Sequence, residues 1–376
     1  MRAARASWRT DRRGIALALV LWVLVVAAAL LTIALFVAVQ ERRASGAERL
    51  LHRGFAATEA GLGMALAARS PGELRARIPR PFDSLSFGGG GTGGDSPWQG
   101  VVRRLTPGLL LLEVTARAPD SLRGGQSAEV RLGQLVGVRP TAVTVTAALS
   151  VGGAAFLGDG ASVSGRWTPS EGDPACPDAD SVAGLVADSM SLNATVGVDG
   201  SPPLLHRSGT DSLLAPLDAQ AFAALVPQAT ITLPGGSVSP NPATVGTACD
   251  LREVLNWGAP TDSLSPCSNY VPVVHATGDL QLGGGEGQGI LLVDGDLSLG
   301  NGYRFYGIIL VLGRLTVLPG ATPALVVGTV AAGSVGSNVT PARDFSVKFS
   351  KCMVSKALLS TGQLVPLWER GWKQLF

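Results

Sequence analysis

An unbroken apolar run near the N-terminus constrains this chain more than any other feature. The run Ile15–Val39 contains no charged residue, and Thr32 is its one hydroxyl-bearing residue. As a helix with a rise of 1.5 Å per residue it would be about 37 Å long, which is enough to cross a hydrocarbon core of about 30 Å. A core helix of a soluble protein would show a polar stripe, and this run shows none. The run therefore predicts a membrane-spanning helix.

The residues on either side of the run distinguish two kinds of membrane helix. Five arginines precede it, against one acid, Asp11. A secretory signal peptide also starts with positive charge, but its apolar part has about 7–15 residues and ends at a small-residue cleavage site. Here the run is longer and ends in Gln40-Glu41-Arg42-Arg43. The helix is then either an uncleaved anchor or the start of a mature chain that is cut between Gly14 and Ile15.

The second interpretation also fits a resemblance to a known family. Arg12-Arg13-Gly14-Ile15 and the helix behind it resemble the class III leader of type IV pilins and type II secretion pseudopilins. The continuation, Gln40-Glu41-Arg42-Arg43 and then Phe-Ala-Ala-Thr-Glu-Ala-Gly-Leu at 55–62, resembles the start of PilX-type pilus assembly proteins and K-type pseudopilins. The resemblance covers about residues 12–68. It implies that a prepilin peptidase cuts after Gly14 and methylates Ile15, and that the helix then packs among other pilin-like subunits.

One departure from the family pattern refines the expected role. Most major pilins have Glu at the fifth mature position, and this chain has Leu19 there. A carboxylate inside a bilayer is costly and is kept where it has a task, which in pilins is pairing with the N-terminus of a neighbouring subunit. Its absence, within the resemblance, implies a minor, tip-type subunit.

Composition supports an exported, β-rich remainder. The chain has 49 Gly and 24 Pro among 376 residues and only 15% charged residues, which favours strands joined by many turns. The net charge of +2 gives no reason to expect nucleic acid as a partner. Arginines flank both ends of the apolar run, but those after it are mixed with Glu41 and Glu48. The charge balance favours a cytoplasmic N-terminus and a periplasmic C-terminal part at a bacterial inner membrane.

Four cysteines follow the anchor, at positions 176, 249, 267 and 352, and none forms a Cys-x-x-Cys pair. In an oxidising compartment an even number predicts two disulfides with three possible connectivities. Pairing Cys249 with Cys267 closes the shortest loop. Free buried thiols are the alternative, and the scattered histidines His52, His206 and His275 argue against zinc.

The predicted fold class is α+β, a long membrane-spanning helix followed by a β-rich domain. Its expected divisions are a leader at 1–14, the span at 15–39, an amphipathic continuation helix at 40–69, a Gly-rich linker at 70–97, a β-meander at 98–150, a mixed insertion at 151–269 and a C-terminal domain at 270–376. Strand-like runs occur at 99–105, 109–118 and 128–138, and helices are expected at 218–226, 250–257 and 350–360.

A faint repeat characterises the C-terminal domain. Gly-Asp-Leu-Gln-Leu at 278–282, Gly-Asp-Leu-Ser-Leu at 295–299 and Gly-Arg-Leu-Thr-Val at 313–317 are alike and lie 17 and 18 residues apart. So short a period with glycine at each corner indicates stacked β-turns of a short β-helix or solenoid. Successive hairpins of a sandwich are the alternative.

The sequence offers few residues for catalysis or metal binding. Asp294 and Asp296 are weak calcium candidates at a repeat corner, and Asp173, Asp178 and Asp180 are a second acidic group. No Gly-x-Ser-x-Gly, His-Glu-x-x-His or phosphate-loop motif occurs. We expect no enzyme and no cofactor. The first function class is a minor pilin-like subunit of a type IV pilus or type II secretion pseudopilus. The second is a permanently anchored envelope β-solenoid protein that binds glycan or protein, and the third, against our expectation, is a surface carbohydrate-active enzyme.

Overall fold

The computed structural model of the chain describes residues 13–89, 97–119, 127–167, 180–206, 219–300, 302–320, 322–367 and 372–374. Its helices are α1 Arg13–Ala67, α2 Pro71–Arg77, α3 Ala219–Leu225 and α4 Lys351–Leu358, and a 3-10 turn covers Val226–Gln228. Its first strands are β1 Ser84–Gly89, β2 Trp98–Thr106, β3 Leu109–Pro119, β4 Ser127–Arg139, β5 Ala147–Val151, β6 Ala154–Leu157, β7 Ser162–Ser164, β8 Arg166–Trp167, β9 Asp180–Ser181, β10 Ala183–Ala187, β11 Ser189–Leu192, β12 Gly197–Asp199 and β13 Leu204–His206. The remaining strands are β14 Ile231–Leu233, β15 Gly236–Val238, β16 Thr244–Val245, β17 Ala248–Cys249, β18 Val273–Ala276, β19 Leu280–Leu282, β20 Glu286–Val293, β21 Leu297–Leu299, β22 Arg304–Val317, β23 Ala324–Val335, β24 Phe345–Lys348, β25 Gln363–Pro366 and β26 Trp372–Gln374.

The first folded unit is an antiparallel sheet covered by the second half of α1. β1 to β4 form a meander in which each strand pairs with the next along the chain, and β2, β3 and β4 are the three strands expected from the sequence. Their side chains alternate: in β2, Trp98 and Val102 are buried, whereas Gln99 and Arg103 are exposed. Apolar residues of α1, of α2 and of the position after α2 pack on the buried face, among them Leu62, Ala65, Leu74 and Ile78. We call this unit, with α1 from Leu50 onward, the head.

The expected Gly-rich linker at 70–97 is wrong over most of its length, because it contains α2 and β1. Ser70 caps α2: its hydroxyl accepts a hydrogen bond from the Glu73 amide at 3.1 Å, and Pro71 occupies the first turn, where no amide donor is needed. The sequence Ser-Pro-Gly thus starts one helix soon after α1 ends. Residues 90–96, the centre of the glycine run, lie outside the described residues.

A buried arginine of β2 joins the end of α2 and the turn before β1 to the meander. Arg104 is 3% exposed, and its guanidinium donates to the carbonyl oxygens of Ile78 at 2.6 Å and Pro107 at 2.7 Å. Burial lowers the pKa of Arg104, and the nearby Asp83 opposes that shift. The backbone of Arg104 also exchanges hydrogen bonds with Phe82 and Asp83. These contacts hold the turn that precedes β1.

The second unit is built from parallel strand pairs. All pairings described within its sheet are parallel, from β12 and β7 at one end of the strand order to β18 and β14 at the other. Hairpins would pair antiparallel, so the sandwich alternative is wrong. We call this unit, the described residues within 147–164, 183–206, 231–238 and 273–348, the parallel stack.

The order of segments in the parallel stack differs from their order in the sequence. Following the pairings, the segments lie in the order 204–206, 183–199, 147–164, 324–348, 304–317, 286–299, 273–282 and 231–238. The first segment in the chain, 147–164, lies in the middle of this order, and the next two, 183–199 and 204–206, extend it to one end. The chain then continues at the opposite end with 231–238, and the later segments fill the order back towards the first one. The last segment, 324–348, therefore lies between the first one and 304–317.

The observed stack confirms the repeat and corrects the expected boundaries. Leu280 is in register with Leu297, Leu297 with Leu315, and Leu315 with Val335. However, the division into an insertion at 151–269 and a separate domain from 270 is wrong, since β6, β7 and β10 to β15 belong to the same sheet as β18 to β24. The C-terminal residues also leave the stack, because β25 and β26 pair with β4 of the head.

Glycines form a column at one corner of the parallel stack. Gly289, Gly307 and Gly328 are in register on β20, β22 and β23, and their φ angles are 114°, 141° and 145°. A Cβ on Gly307 would lie 2.0 Å from the carbonyl oxygen of Gly289. Only glycine permits both this backbone conformation and this closeness.

Two of the three predicted shorter helices are present. α3 and α4 lie within the expected 218–226 and 350–360, and α4 packs on β20, β22 and β23. No helix forms at 250–257. There Asn256 and Trp257 are fully buried, and the Asn256 amide nitrogen donates to the carbonyl oxygens of Ala243 and Asp250. Tertiary burial of these side chains overrides the local helix preference.

Candidate functional site

The first half of α1 is an uncovered apolar surface. Its side chains from Leu17 to Val39 are exposed, including Leu17 at 68%, Trp22 at 69% and Phe36 at 65%. Within the described residues this is the one helix long and apolar enough to cross a membrane, and the apolar window is 0% buried against the rest of the chain. These properties fit a single-pass membrane protein.

The second half of α1 changes from exposed to packed at Leu50. The buried positions fall at helical spacing and form one stripe against the head sheet: Leu50, Gly54, Thr58, Gly61, Leu62 and Ala65. Between Val39 and Leu50 the helix rises about 16 Å without touching the sheet. This polar interval, residues 40–49, is the part of α1 that would project between membrane and head.

The glycines of α1 divide into two kinds. A Cβ on Gly54 would lie 2.7 Å from a Val130 methyl carbon, and one on Gly61 would lie 2.9 Å from both Trp98 and Val114. These two glycines let the helix approach its own sheet. Gly46 and Gly63 have nothing within 4 Å of such an atom. Their small size is therefore available to a neighbouring molecule.

The predicted leader boundary lies at the start of α1. The backbone of Gly14 and Ile15 is helical and continuous with the apolar run. Arg12 and the residues before it lie outside the described residues. Cleavage between Gly14 and Ile15 stays a prediction.

The three cysteines that the structure describes are oxidised. Cys249 and Cys267 form a disulfide with an S–S distance of 2.06 Å, across a sequence separation of 18. Cys352 is also disulfide-bonded, and its partner is not among the described residues, which do not include Cys176. No free thiol occurs in the part of the chain that the structure describes.

The weak calcium candidates have other partners. The Asp296 carboxylate accepts the Arg314 amide at 2.7 Å and so links two successive turns of the parallel stack, and Asp279 accepts the Asp296 amide in the same way at 2.8 Å. Asp294 lies 3.0 Å from the His275 ring nitrogen. Over the described ranges, no group of three or more His, Cys, Asp or Glu side chains could hold a metal ion.

Of the second acidic group, Asp173 and Asp178 lie outside the described residues. Asp180 contacts the Lys351 ammonium at 3.2 Å, and this hydrogen bond lowers the pKa of Asp180. The pair connects β9 to the start of α4. Its role in the described part is to join two elements.

A groove lies between the head and the disulfide loop. It has a volume of about 1000 Å³ and is lined on one side by residues 76–85 and on the other by residues 245–269. Leu264 on its rim is 92% exposed. Phe82, in the 76–85 segment, is 75% exposed and has a φ of 70°, a conformation rare for a bulky side chain. The sequence alone gave no signal for this groove, because its two walls are far apart in the chain.

A comparison of the chain with protein families, curated proteins and solved structures finds no match. Function is therefore inferred from the geometry of the chain itself.

Proposed function

We propose that the protein is a minor pilin-like subunit of a type IV pilus or type II secretion pseudopilus. The observation that supports this most is the single continuous helix α1. Its first half is an exposed apolar span, and its second half packs on an antiparallel meander. One helix thus serves as both membrane anchor and the spine of the head, an arrangement suited to transfer from a bilayer into a bundle of like helices.

The rest of the chain would be displayed by that helix. In this proposal the parallel stack is a short β-solenoid, which the in-register pairing of successive turns supports. The N-terminus is cytoplasmic and the head is periplasmic, at a bacterial inner membrane. The disulfide Cys249–Cys267 supports an oxidising compartment for the C-terminal part. The partners are other pilin-like subunits and a prepilin peptidase, and we propose no catalytic activity.

The test is the N-terminal mass of the full chain purified from its own membranes. We expect a mature chain that begins at Ile15 with an added methyl group, and a Gly14→Arg variant that stays uncut. Gly46→Arg is the matched control, since it places the same substitution on the same helix, at a position with open space around it. This control should be cut normally. An intact chain beginning at Met1 in all three proteins would refute the proposal.

The second candidate is a permanently anchored envelope protein that binds glycan or another protein. The groove between residues 76–85 and 245–269 favours it, because the groove is large and has exposed apolar side chains at its rim. An uncut N-terminus, together with weaker ligand capture by Leu264→Asp, would support this candidate over the first.

A further inference from the structure

The charged residues of α1 beyond the apolar run are sorted by sign around the helix. At about 100° per residue, Arg42, Arg49 and Arg53 fall within about 40° of one another and form a basic stripe. Glu41, Glu48 and Glu59 fall within about 20° and form an acidic stripe, about 110° away. All six residues are exposed. Arg43 lies outside both stripes.

These charges are not spaced to pair with each other. Stabilising pairs on one helix need a spacing of three or four residues, and no Glu of the acidic stripe stands at that distance from an Arg of the basic stripe. Arg49 and Arg53 are instead like charges four apart, which is slightly unfavourable in a single helix. Among the described residues, the ion pair found for these two stripes is the exposed contact of Glu48 with His52 at 3.8 Å. Both stripes are therefore available to another molecule.

The two stripes flank the side of α1 that faces away from the head. The stripe buried against the sheet, from Leu50 to Ala65, lies about 180° from the middle of the sector between the charged stripes. That sector carries small, exposed residues such as Ser45, Ala56 and Gly63. A second helix can approach there without meeting the sheet.

When two parallel copies of α1 lie at the same depth in a membrane, the spacing of the acidic stripe of one matches that of the basic stripe of the other. Glu41 and Glu48 are seven residues apart, and so are Arg42 and Arg49. Two parallel copies whose apolar runs lie at the same level in a bilayer would place Glu41 of one beside Arg42 of the other, and Glu48 beside Arg49, each with an axial offset of about 1.5 Å. Anchoring in the same membrane enforces this parallel, unstaggered arrangement.

We infer that α1 associates side by side with α1 of a second copy of this chain, the acidic stripe of one against the basic stripe of the other. The contact is heterologous, so each pair leaves one acidic and one basic stripe free, to which further copies can add. The inference deepens the proposed function, since it names the partner of the exposed helix before extraction from the membrane. It rests on the membrane-spanning helix and not on leader cleavage.

The test uses the full chain in its own membranes with a photo-crosslinking amino acid at Ser45. Reversal of the basic stripe, Arg42→Glu with Arg49→Glu, should lower the yield of cross-linked dimers by about tenfold, because two pairs are lost and two repulsions gained. Reversal of the acidic stripe, Glu41→Arg with Glu48→Arg, should lower it equally. Co-expression of the two variants should restore dimers between them to within about twofold of the original yield.

Two controls separate pairing from misfolding and misinsertion. Arg103→Glu with Arg139→Glu changes the net charge by the same amount at exposed positions of the head, and its yield should not change. Formation of the Cys249–Cys267 disulfide in every variant checks that the part of the chain beyond α1 has folded and reached the same compartment.

Equal yields in the original and the reversed proteins would overturn the inference. So would a failure of co-expression to restore dimers, because each reversal would then act by damaging its own helix. The N-terminal mass of the same samples keeps the two proposals apart. Charge-dependent dimers of an uncut chain would leave this inference standing and refute the pilin-like function.

Discussion

The head and the parallel stack reach a buried core by opposite means. In the head, the meander strands β1 to β4 are neighbours both in the sheet and in the chain, and β2, β3 and β4 each bury one face under α1. The other face is solvated and carries cross-strand ion pairs, Arg117 with Glu129 at 2.8 Å and Arg131 with Glu113 at 3.1 Å. In the stack, strands pair in parallel, and β20 is buried over nearly its whole length, with α4 packed on β20, β22 and β23.

The difference teaches where each unit is sensitive. The head depends on how closely a separate helix lies on its sheet, so its stability should respond to the surface of α1. The stack depends on a repeated corner, where backbone approaches backbone and no side chain can move aside. A substitution at the glycine corner should therefore lower the free energy of unfolding more than a substitution where α1 contacts the sheet.

The largest effect is expected at the glycine corner. Gly307→Ala places a Cβ against the Gly289 carbonyl oxygen and forces a φ of 141° on a non-glycine residue, so the free energy of unfolding of the stack should fall by about 3–5 kcal/mol. Denaturant unfolding of the detergent-solubilised chain measures it. Gly236→Ala is the control, because its φ is 98° but nothing lies within 4 Å, and it should cost about 1 kcal/mol. Equal losses would show that steric closeness at the corner is unimportant.

Removal of the disulfide should come next. Cys249→Ala with Cys267→Ala frees a loop of 18 residues and should lower the stability of the stack by about 3 kcal/mol. The buried Asn256 amide, which contacts both sulfur atoms, would also lose those contacts. Thermal unfolding followed by near-ultraviolet circular dichroism of the buried Trp257 reports the change. An unaltered midpoint would mean that the loop is held by its other contacts alone.

Substitutions of the glycines on α1 should change the stability of the head by less, and in opposite directions at the two positions compared. Gly61→Ala gains about 1 kcal/mol of helix propensity but overpacks against Trp98 and Val114 by about 1–3 kcal/mol, which leaves a net loss of about 1 kcal/mol. Gly63→Ala, two residues away in open space, should raise stability by up to about 1 kcal/mol. Unfolding midpoints of the two variants give the comparison. A loss at both positions would contradict the division of the α1 glycines into packed and free.

The smallest effect concerns pH. Hydrogen bonds from Thr195 and then Asn193 lower the pKa of Asp159 below its ordinary value of 3.8, which stabilises one edge of the stack. Because the folded pKa lies below the unfolded one, this contribution is present above pH 3.8 and is lost as the pH falls through the folded value. The midpoint of Asp159→Asn should therefore fall less steeply on acidification than that of the original protein. If the unfolding midpoints of the two proteins fell equally with pH, Asp159 would not contribute to the acid sensitivity.

The parts predictable from sequence are those with local signals. The apolar run and the alternation in β2, β3 and β4 are set by neighbouring residues, and the leucines at 280, 297 and 315 mark the repeat. The helix α2 was not predicted, because Ser70-Pro71-Gly72 is a signal for the start of a helix as well as for the end of one. The sequence also predicts a helix at 250–257, where burial of Trp257 and the disulfide decide the backbone.

What could not be predicted is non-local. Leu149 pairs with Val330, and no repeat or motif near either residue announces a partner so distant in the chain. The groove and the return of β25 to the head sheet have the same cause. The charge stripes of α1, in contrast, are visible in the sequence once the helix is known to run unbroken from Arg13 to Ala67.

The position of segment 324–348 has a consequence for biosynthesis. It contacts the first segment of the stack through the Val330–Leu149 pairing and the bond from the Thr329 hydroxyl to the Ala147 carbonyl oxygen at 2.9 Å. During synthesis the residues around 147 emerge long before their partners, with an unpaired strand edge exposed. A chain truncated before residue 324 would leave two half-stacks with open edges facing each other. We expect such a product to depend on holding chaperones or to be degraded, so completion of the stack requires synthesis of the chain through segment 324–348.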